Sequence, residues 1–169
     1  MKLKTVLSTA AATAATAAVG GLATDPNSAW YRRLRKPAWQ PPAVAFPVVW
    51  TALYADLAVS SAVALDTPGR PGDVPGKTRQ QELSAYRRAL AANLVLNASW
   101  SWLFWRIRRP WLAAAECAVL TASSVDLVRR THKLNGAAGV ALAPYAAWCG
   151  FATALSTAVA RLNPGTTGN

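Results

Sequence analysis

WYRRLRKPAWQPPAVAFPVVWTALY, from Trp30 to Tyr54, joins a basic, proline-broken loop to an apolar helix. Pro37, Pro41 and Pro42 fix φ and lack an N–H, so regular helix is excluded there, and each pushes its preceding residue toward extended backbone. Beyond Pro42 only Pro47 interrupts, and it falls near the first turn, where a missing N–H costs little. Phe46, Trp50, Leu53 or Tyr54, and Leu57 then recur at helical spacing and share one face. An aromatic stripe thus descends from an aromatic loop that also carries Trp30, Tyr31 and Trp39.

Outside this stretch the composition narrows the class. The chain has 169 residues, 53% of them hydrophobic, and its 18 Lys and Arg against 7 Asp and Glu give a formal charge of +11. Such a balance suits a nucleic-acid binder or a membrane protein with basic loops. The distribution favours the membrane: basic residues fall in short clusters (Arg32, Arg33, Arg35, Lys36; Arg87, Arg88; Arg106, Arg108, Arg109; Arg129, Arg130, Lys133) between long uncharged runs. No nucleic-acid motif accompanies them, so no nucleic-acid partner is expected. Cys117 and Cys149 lie in apolar segments without metal spacing; a disulfide and two buried thiols are both open, the latter being the plain reading.

The sequence predicts an all-α integral membrane bundle, a single domain over 1–169 with five transmembrane helices at about 5–23, 43–65, 84–105, 111–128 and 134–162. The first is roughly 19 residues long, against about 20 for a bilayer core. It also reads as a secretory signal, with Lys2 and Lys4 before the apolar run and Gly21-Leu22-Ala23 as a cleavage site. Four further spans and the need for something behind the loop 24–42 favour a retained helix. The segment from Asp66 to Glu82 reads as an exposed connection, and Pro144 should kink the fifth helix. Ten basic residues lie on one side and eight on the other, which leaves orientation open under the positive-inside rule.

Polar residues inside these spans are the candidates for function. Asn93, Asn97, Trp100 and Phe104 align on the third helix, and Glu116, Ser123 and Asp126 on the fourth. Asp126 is close enough to Arg129 and Arg130 for a surface pair. Asp56 has two readings: a partner Asn or Ser on a neighbouring helix, or a protonated group facing a cavity. Tyr145, Trp148, Ala152 and Leu155 share one face of the fifth helix. Trp30, Trp102, Trp105 and Trp111 read as interfacial anchors, the last three near the other end of the bundle from the loop 24–42.

WYRRLRKPAWQPP followed by FPVVWTALY resembles the signature of the translocator protein family, whose bacterial members are called tryptophan-rich sensory proteins. LNASW at Leu96–Trp100 is similar to the family's third helix, and PYAAWCGFATALSTAVARLN at Pro144–Asn163 to its fifth. The resemblance implies five transmembrane helices, commonly in a homodimer, with a cavity beneath the first loop as lid. It implies binding of porphyrins and related tetrapyrroles, isoquinoline-type drugs and, in animals, cholesterol; some bacterial members promote light-dependent porphyrin breakdown. Residue by residue it points to Tyr31, Trp39, Trp50, Asn97, Trp100, Glu116, Tyr145, Trp148 and Leu155 as ligand contacts. The aromatic face of the second helix adds Phe46 and Tyr54.

Three roles follow as expectations: a tetrapyrrole sensor or scavenger, a light-dependent porphyrin-degrading enzyme, or a transporter of tetrapyrrole or lipid. No catalytic triad or metal cluster is legible, and no cofactor is required. Indole rings supply stacking surfaces for a flat ligand, protoporphyrin or haem. Arg32, Arg33, Arg35 and Lys36 in the lid could meet its propionates. His132, placed in the loop after the fourth helix and away from the lid, offers no axial ligand; preference for metal-free porphyrin, or haem held by ring and propionates, is expected. Ser156 and Thr157 replace the Asn and the sterol-motif Tyr of other members, so sterol binding is not expected. The lipid bilayer is the remaining partner, as a multi-pass protein of the bacterial inner, or plasma, membrane.

Overall fold

The computed structural model describes residues 1–69 and 77–165, which contain helices and no strand. In chain order they are α1 (Leu3–Ala23), α2 (Ala29–Arg33), α3 (Ala45–Asp66), α4 (Lys77–Ser101), a π-helical turn (Trp102–Arg106), α5 (Pro110–Leu134), α6 (Gly136–Ala141) and α7 (Ala143–Leu162). Leu3–Ala23, Ala45–Asp66, Pro110–Leu134 and Gly136–Leu162 are each long and apolar enough to cross a membrane. α4 has 25 residues but carries Arg79, Glu82, Arg87 and Arg88 in its first half. With it the chain forms the expected five-helix, multi-pass membrane bundle.

Several boundaries differ from the sequence reading. The third helix begins at Lys77 rather than 84, and part of the connection expected over 66–82, residues 70–76, lies outside the described residues. α5 continues to Leu134 rather than stopping at 128, because Arg129, Arg130 and Lys133 are exposed or half-buried side chains that a helix end accommodates and its C-terminal dipole favours. His132 is therefore on the last turn of α5, not in a loop. The fifth span breaks into α6 and α7 at Leu142, two residues before Pro144, whose missing N–H cannot continue the ladder. The lid contains α2, which the sequence reading missed: Ser28 is its N-cap, its hydroxyl accepting from the Tyr31 N–H at 3.4 Å.

Antiparallel connections put two sets of termini together. At one end the backbone N–H of Lys2 and the Thr5 hydroxyl both donate to Asp66, and the Asn135 amide donates to Thr67 Oγ1 at 3.2 Å. At the other, Trp102 Nε1 donates to the Val19 carbonyl at 3.2 Å and Arg106 to the Leu22 carbonyl at 2.7 Å, meeting acceptors at the C-terminal turn of α1. Trp102, Trp105 and, at the start of α5, Trp111 thus lie at the lid end, not opposite it. The reason is simple parity: the first and third connections of an antiparallel bundle share a side.

Packing is closest away from the lid. Leu57, Leu127, Leu142 and Tyr145 are inaccessible to solvent, and α6 crosses α5 so closely that a Cβ on Gly139 would stand 2.4 Å from the His132 Cα. α1 uses small residues: a Cβ on Gly20 would meet Ser101 Oγ at 3.3 Å, the close approach that substitutes for hydrophobic drive in lipid. Buried Thr9, Thr13 and Thr16 return their hydroxyls to carbonyls of their own helix at 3.0–3.2 Å, so none is left unsatisfied in hydrocarbon.

Candidate ligand cavity

Towards the lid the helices diverge around a cavity of about 560 Å³, within the range of small-molecule sites. Ala17, Gly20 and Gly21 make a thin wall on α1, where side chains are too small to fill the space. The opposite walls are aromatic. Phe46, Trp50 and Tyr54 come from α3, Trp148 and Phe151 from α7, and Trp100, Phe104 and Trp105 from the end of α4 and its π turn. Tyr31 and Gln40 of the lid close the top, Gln40 Nε2 donating to Tyr31 Oη at 3.4 Å.

These rings support one another. Trp100 and Phe104 stack with centroids 5.3 Å apart and planes 12° from parallel. Trp148 lies 5.0 Å from Phe151 and 6.2 Å from Phe46, and Trp50 packs against Tyr54 at 5.4 Å. Such pairs are worth about 0.5–1.5 kcal/mol beyond their area burial. Trp105 packs against Tyr31 at 4.5 Å and lines the cavity, so it is not the membrane anchor expected of it. The π turn explains this: its wider turn, closed by Ile107 N–H to the Trp102 carbonyl at 2.9 Å, keeps an additional residue on the inner face. Trp30 likewise packs inward, 5.4 Å from Phe104, rather than serving only as an anchor. Trp102 and Trp111 are exposed, as anchors would be.

The lid is latched at one point. Leu34 is buried with Phe104, Ala113 and Val159. Asn163, at the C-cap of α7, accepts from the Arg35 N–H at 2.9 Å and donates to the Arg35 carbonyl at 2.8 Å. Lys36 Nζ stands 4.1 Å from the centre of the Tyr31 ring, a cation–π contact. Arg32, Arg33 and Arg35 are exposed, and none of the four lid cations lines the cavity.

Of the expected ligand contacts, Tyr31, Phe46, Trp50, Tyr54, Asn97, Trp100, Trp148 and Leu155 converge on this space. Three do not line it. Trp39 is half exposed and sits edge-on to Phe151 at 5.8 Å, outside the wall it backs. Tyr145 is fully buried one layer below. Glu116 faces α4, where it accepts from the Ser99 hydroxyl at 3.2 Å, while its other carboxylate oxygen is buried without a partner. Its neighbour Cys117, about 100° further round the helix, lines the cavity instead. Both cysteines are free thiols. Phe151, Gln40 and the α1 glycines were not singled out from sequence; Phe151 follows Trp148 by three residues and carries the same periodic signal.

Polar residues outside the cavity have local explanations. Asp56 accepts from Ser60 of its own helix at 2.8 Å, which matches neither expected reading: an i+4 hydroxyl shares its helix face and supplies a partner locally. Asp126 pairs with Arg130 at 2.5 Å, as expected. Ser156, within the cavity wall, accepts from Trp100 Nε1 at 3.3 Å and so orients that ring.

Comparison with known proteins agrees with this architecture. The profile of the TspO/MBR family matches residues 8–162. Protein CrtK of Rhodobacter capsulatus is 30% identical over 138 residues, covering 81% of this chain and 80% of its own. A tryptophan-rich sensory protein of Cereibacter sphaeroides is 32% identical over 136 residues, 79% of this chain and 77% of its own. The human translocator protein is 28% identical over 138 residues, with 80% and 76% covered. A matched profile over nearly the whole bundle, together with an aromatic cavity built from the signature residues themselves, makes this chain a member of the TspO/MBR family.

Proposed function

We propose that the protein binds a porphyrin or related tetrapyrrole in the cavity beneath the lid and acts as a membrane sensor or scavenger of that ligand. The observation that carries this reading is the convergence of Phe46, Trp50, Trp100, Phe104, Trp148 and Phe151 on one space of about 560 Å³. Flat apolar rings stack favourably on such walls, and a ligand already dissolved in lipid would enter with little loss of hydration. Arg32, Arg33, Arg35 and Lys36 lie on the lid above the mouth, where they would neutralise propionates that project from it. The name of the Cereibacter relative, a sensory protein, agrees with this role. The reading extends to a homodimer in the bacterial inner membrane, with no cofactor.

Titration of the purified protein with protoporphyrin, read by tryptophan fluorescence, tests it. Saturable quenching that weakens in Trp50→Ala and Trp148→Ala is expected; quenching that never saturates, or that both variants retain unchanged, would sink the reading. Because Trp50 and Trp148 line the ligand space itself, a second reading is light-dependent porphyrin breakdown, in which these indoles exchange electrons with the excited ring. Illumination should then yield a defined product that disappears in Trp50→Phe or Trp148→Phe.

A further inference from the structure

Beneath the cavity runs a chain of side-chain hydrogen bonds whose direction follows from where Ser124, at its buried end, places its proton. Ser124 gives its single hydroxyl proton to the Leu120 carbonyl at 2.8 Å, or to Cys149 Sγ at 3.5 Å. Towards Asn93 it therefore accepts. The atom of Asn93 that faces Ser124 at 3.0 Å and Ser123 at 3.2 Å is then the amide nitrogen, Nδ2. Asn93 Oδ1 is left to accept, and Tyr145 donates its one phenolic proton to it at 2.7 Å. With that proton committed, Tyr145 receives rather than gives at Asn97, so Asn97 Nδ2 donates to it at 3.1 Å. Asn97 Oδ1 then faces Tyr54, whose hydroxyl donates at 2.5 Å.

With the Ser124 proton on the Leu120 carbonyl, each later step follows from the one before it, because hydroxyls hold one proton and amides have distinct ends. Asn93 and Tyr145 are inaccessible, so water cannot reverse the order from below. The consequence appears at the top, where Tyr54 and Asn97 both line the cavity. The Tyr54 phenol, its proton spent on Asn97, offers the cavity only lone pairs. Asn97 Nδ2 has a second N–H beyond the one given to Tyr145.

We propose that Tyr54 and Asn97 form a directional subsite that selects ligands with an uncharged donor–acceptor edge, of which a lactam is the simplest. The lactam N–H donates to Tyr54 Oη, and its C=O accepts from Asn97 Nδ2. A group with acceptors alone meets the lone pairs of Tyr54 and loses that bond, at a cost characteristic of an unpaired polar group in an apolar site. The subsite rests on the ligand-binding role proposed for the cavity and adds to it a chemical selectivity that the aromatic walls do not supply.

The test compares phenanthridinone, a flat aromatic lactam, with its N-methyl derivative, which keeps the carbonyl but has no donor. Tryptophan fluorescence titrations on the intact protein should show the lactam binding about tenfold more tightly. Tyr54→Phe should bring the ratio near one. Asn97→Leu keeps the phenol but removes the acceptor that holds its proton, freeing it to donate to the carbonyl of either compound; there too the ratio should fall to about one. A purely steric effect of the methyl group would leave the ratio unchanged in Asn97→Leu, and that result overturns the subsite. So does equal binding of the two compounds to the unaltered protein, a measurement that stands even if either variant fails to fold. Protoporphyrin is titrated in parallel: quenching by porphyrin without selectivity between the lactams rejects the subsite alone, whereas no saturable quenching by any of the three rejects the cavity reading beneath it.

Discussion

The two ends of the bundle are built on opposite plans. Away from the lid, helices approach until only glycine fits between them, and polar groups find buried partners in the ladder through Tyr145 and Asn93 and, separately, at Tyr86, bonded to Ser61 at 3.0 Å and Thr131 at 3.2 Å. Near the lid the same helices are held apart by stacked aromatic rings around open space. In hydrocarbon, where apolar side chains gain little by leaving lipid, stability has to come from close packing and interhelical hydrogen bonds. The closed half can supply both, which frees the other half to keep a cavity. The difference teaches that a membrane protein can separate the residues that hold it together from those that line its cavity.

Substitutions should respect that division. The largest expected effect is Gly139→Ala: its Cβ would collide with the His132 backbone at 2.4–2.6 Å, forcing α5 and α6 apart at about 1–3 kcal/mol or more. A marked fall in the melting temperature in detergent should result; an unchanged one would mean that the closed half is looser than described. Next, Trp148→Ala should weaken protoporphyrin binding by about tenfold or more, on the order of the 1–3 kcal/mol that stacking of a planar base on an aromatic residue contributes, and lower melting less than Gly139→Ala does. Tyr145→Phe interrupts the ladder between Asn97 and Asn93. Interhelical bonds in bilayers average about 0.6 kcal/mol, and the unpaired amides raise the cost towards 1–3 kcal/mol, visible in denaturant titration. The smallest effect is Gly21→Ala. Nothing lies within 4 Å of its added Cβ, and alanine favours helix by about 0.5–1 kcal/mol, so melting should stay or rise slightly. If Gly21→Ala proved as damaging as Gly139→Ala, the two ends would not differ as claimed.

Much of this was legible in the sequence because membrane helices announce themselves by length and hydropathy, and because Trp and Pro at fixed intervals mark the lid and its helix. Spacing put Trp50, Trp100 and Trp148 on aromatic helix faces, and the family resemblance made those residues ligand contacts. The failures have physical causes. Regular 3.6-residue periodicity puts Trp105 on an outer face, and only the π turn brings it in. Glu116 was assigned to the ligand although its helix angle differs from that of Cys117 by a single residue, a distinction invisible without knowing which neighbour α5 faces. The ladder itself was half visible: Asn93 and Asn97 were aligned on one face, but their partners Tyr54, Tyr145, Ser123 and Ser124 come from three other helices. The cavity wall of α1 was not placed from sequence because it works by absence of side-chain bulk.

The latch between Asn163 and Arg35 joins residues 128 positions apart. A nascent chain inserted in order would have its first four helices in the bilayer while the loop after α1 still lacked its anchor. Only when the final helix arrives can that loop be pinned at Arg35, so the roof of the cavity and the last transmembrane segment mature in one event, and until then the chamber lacks both its fastened cover and its α7 wall.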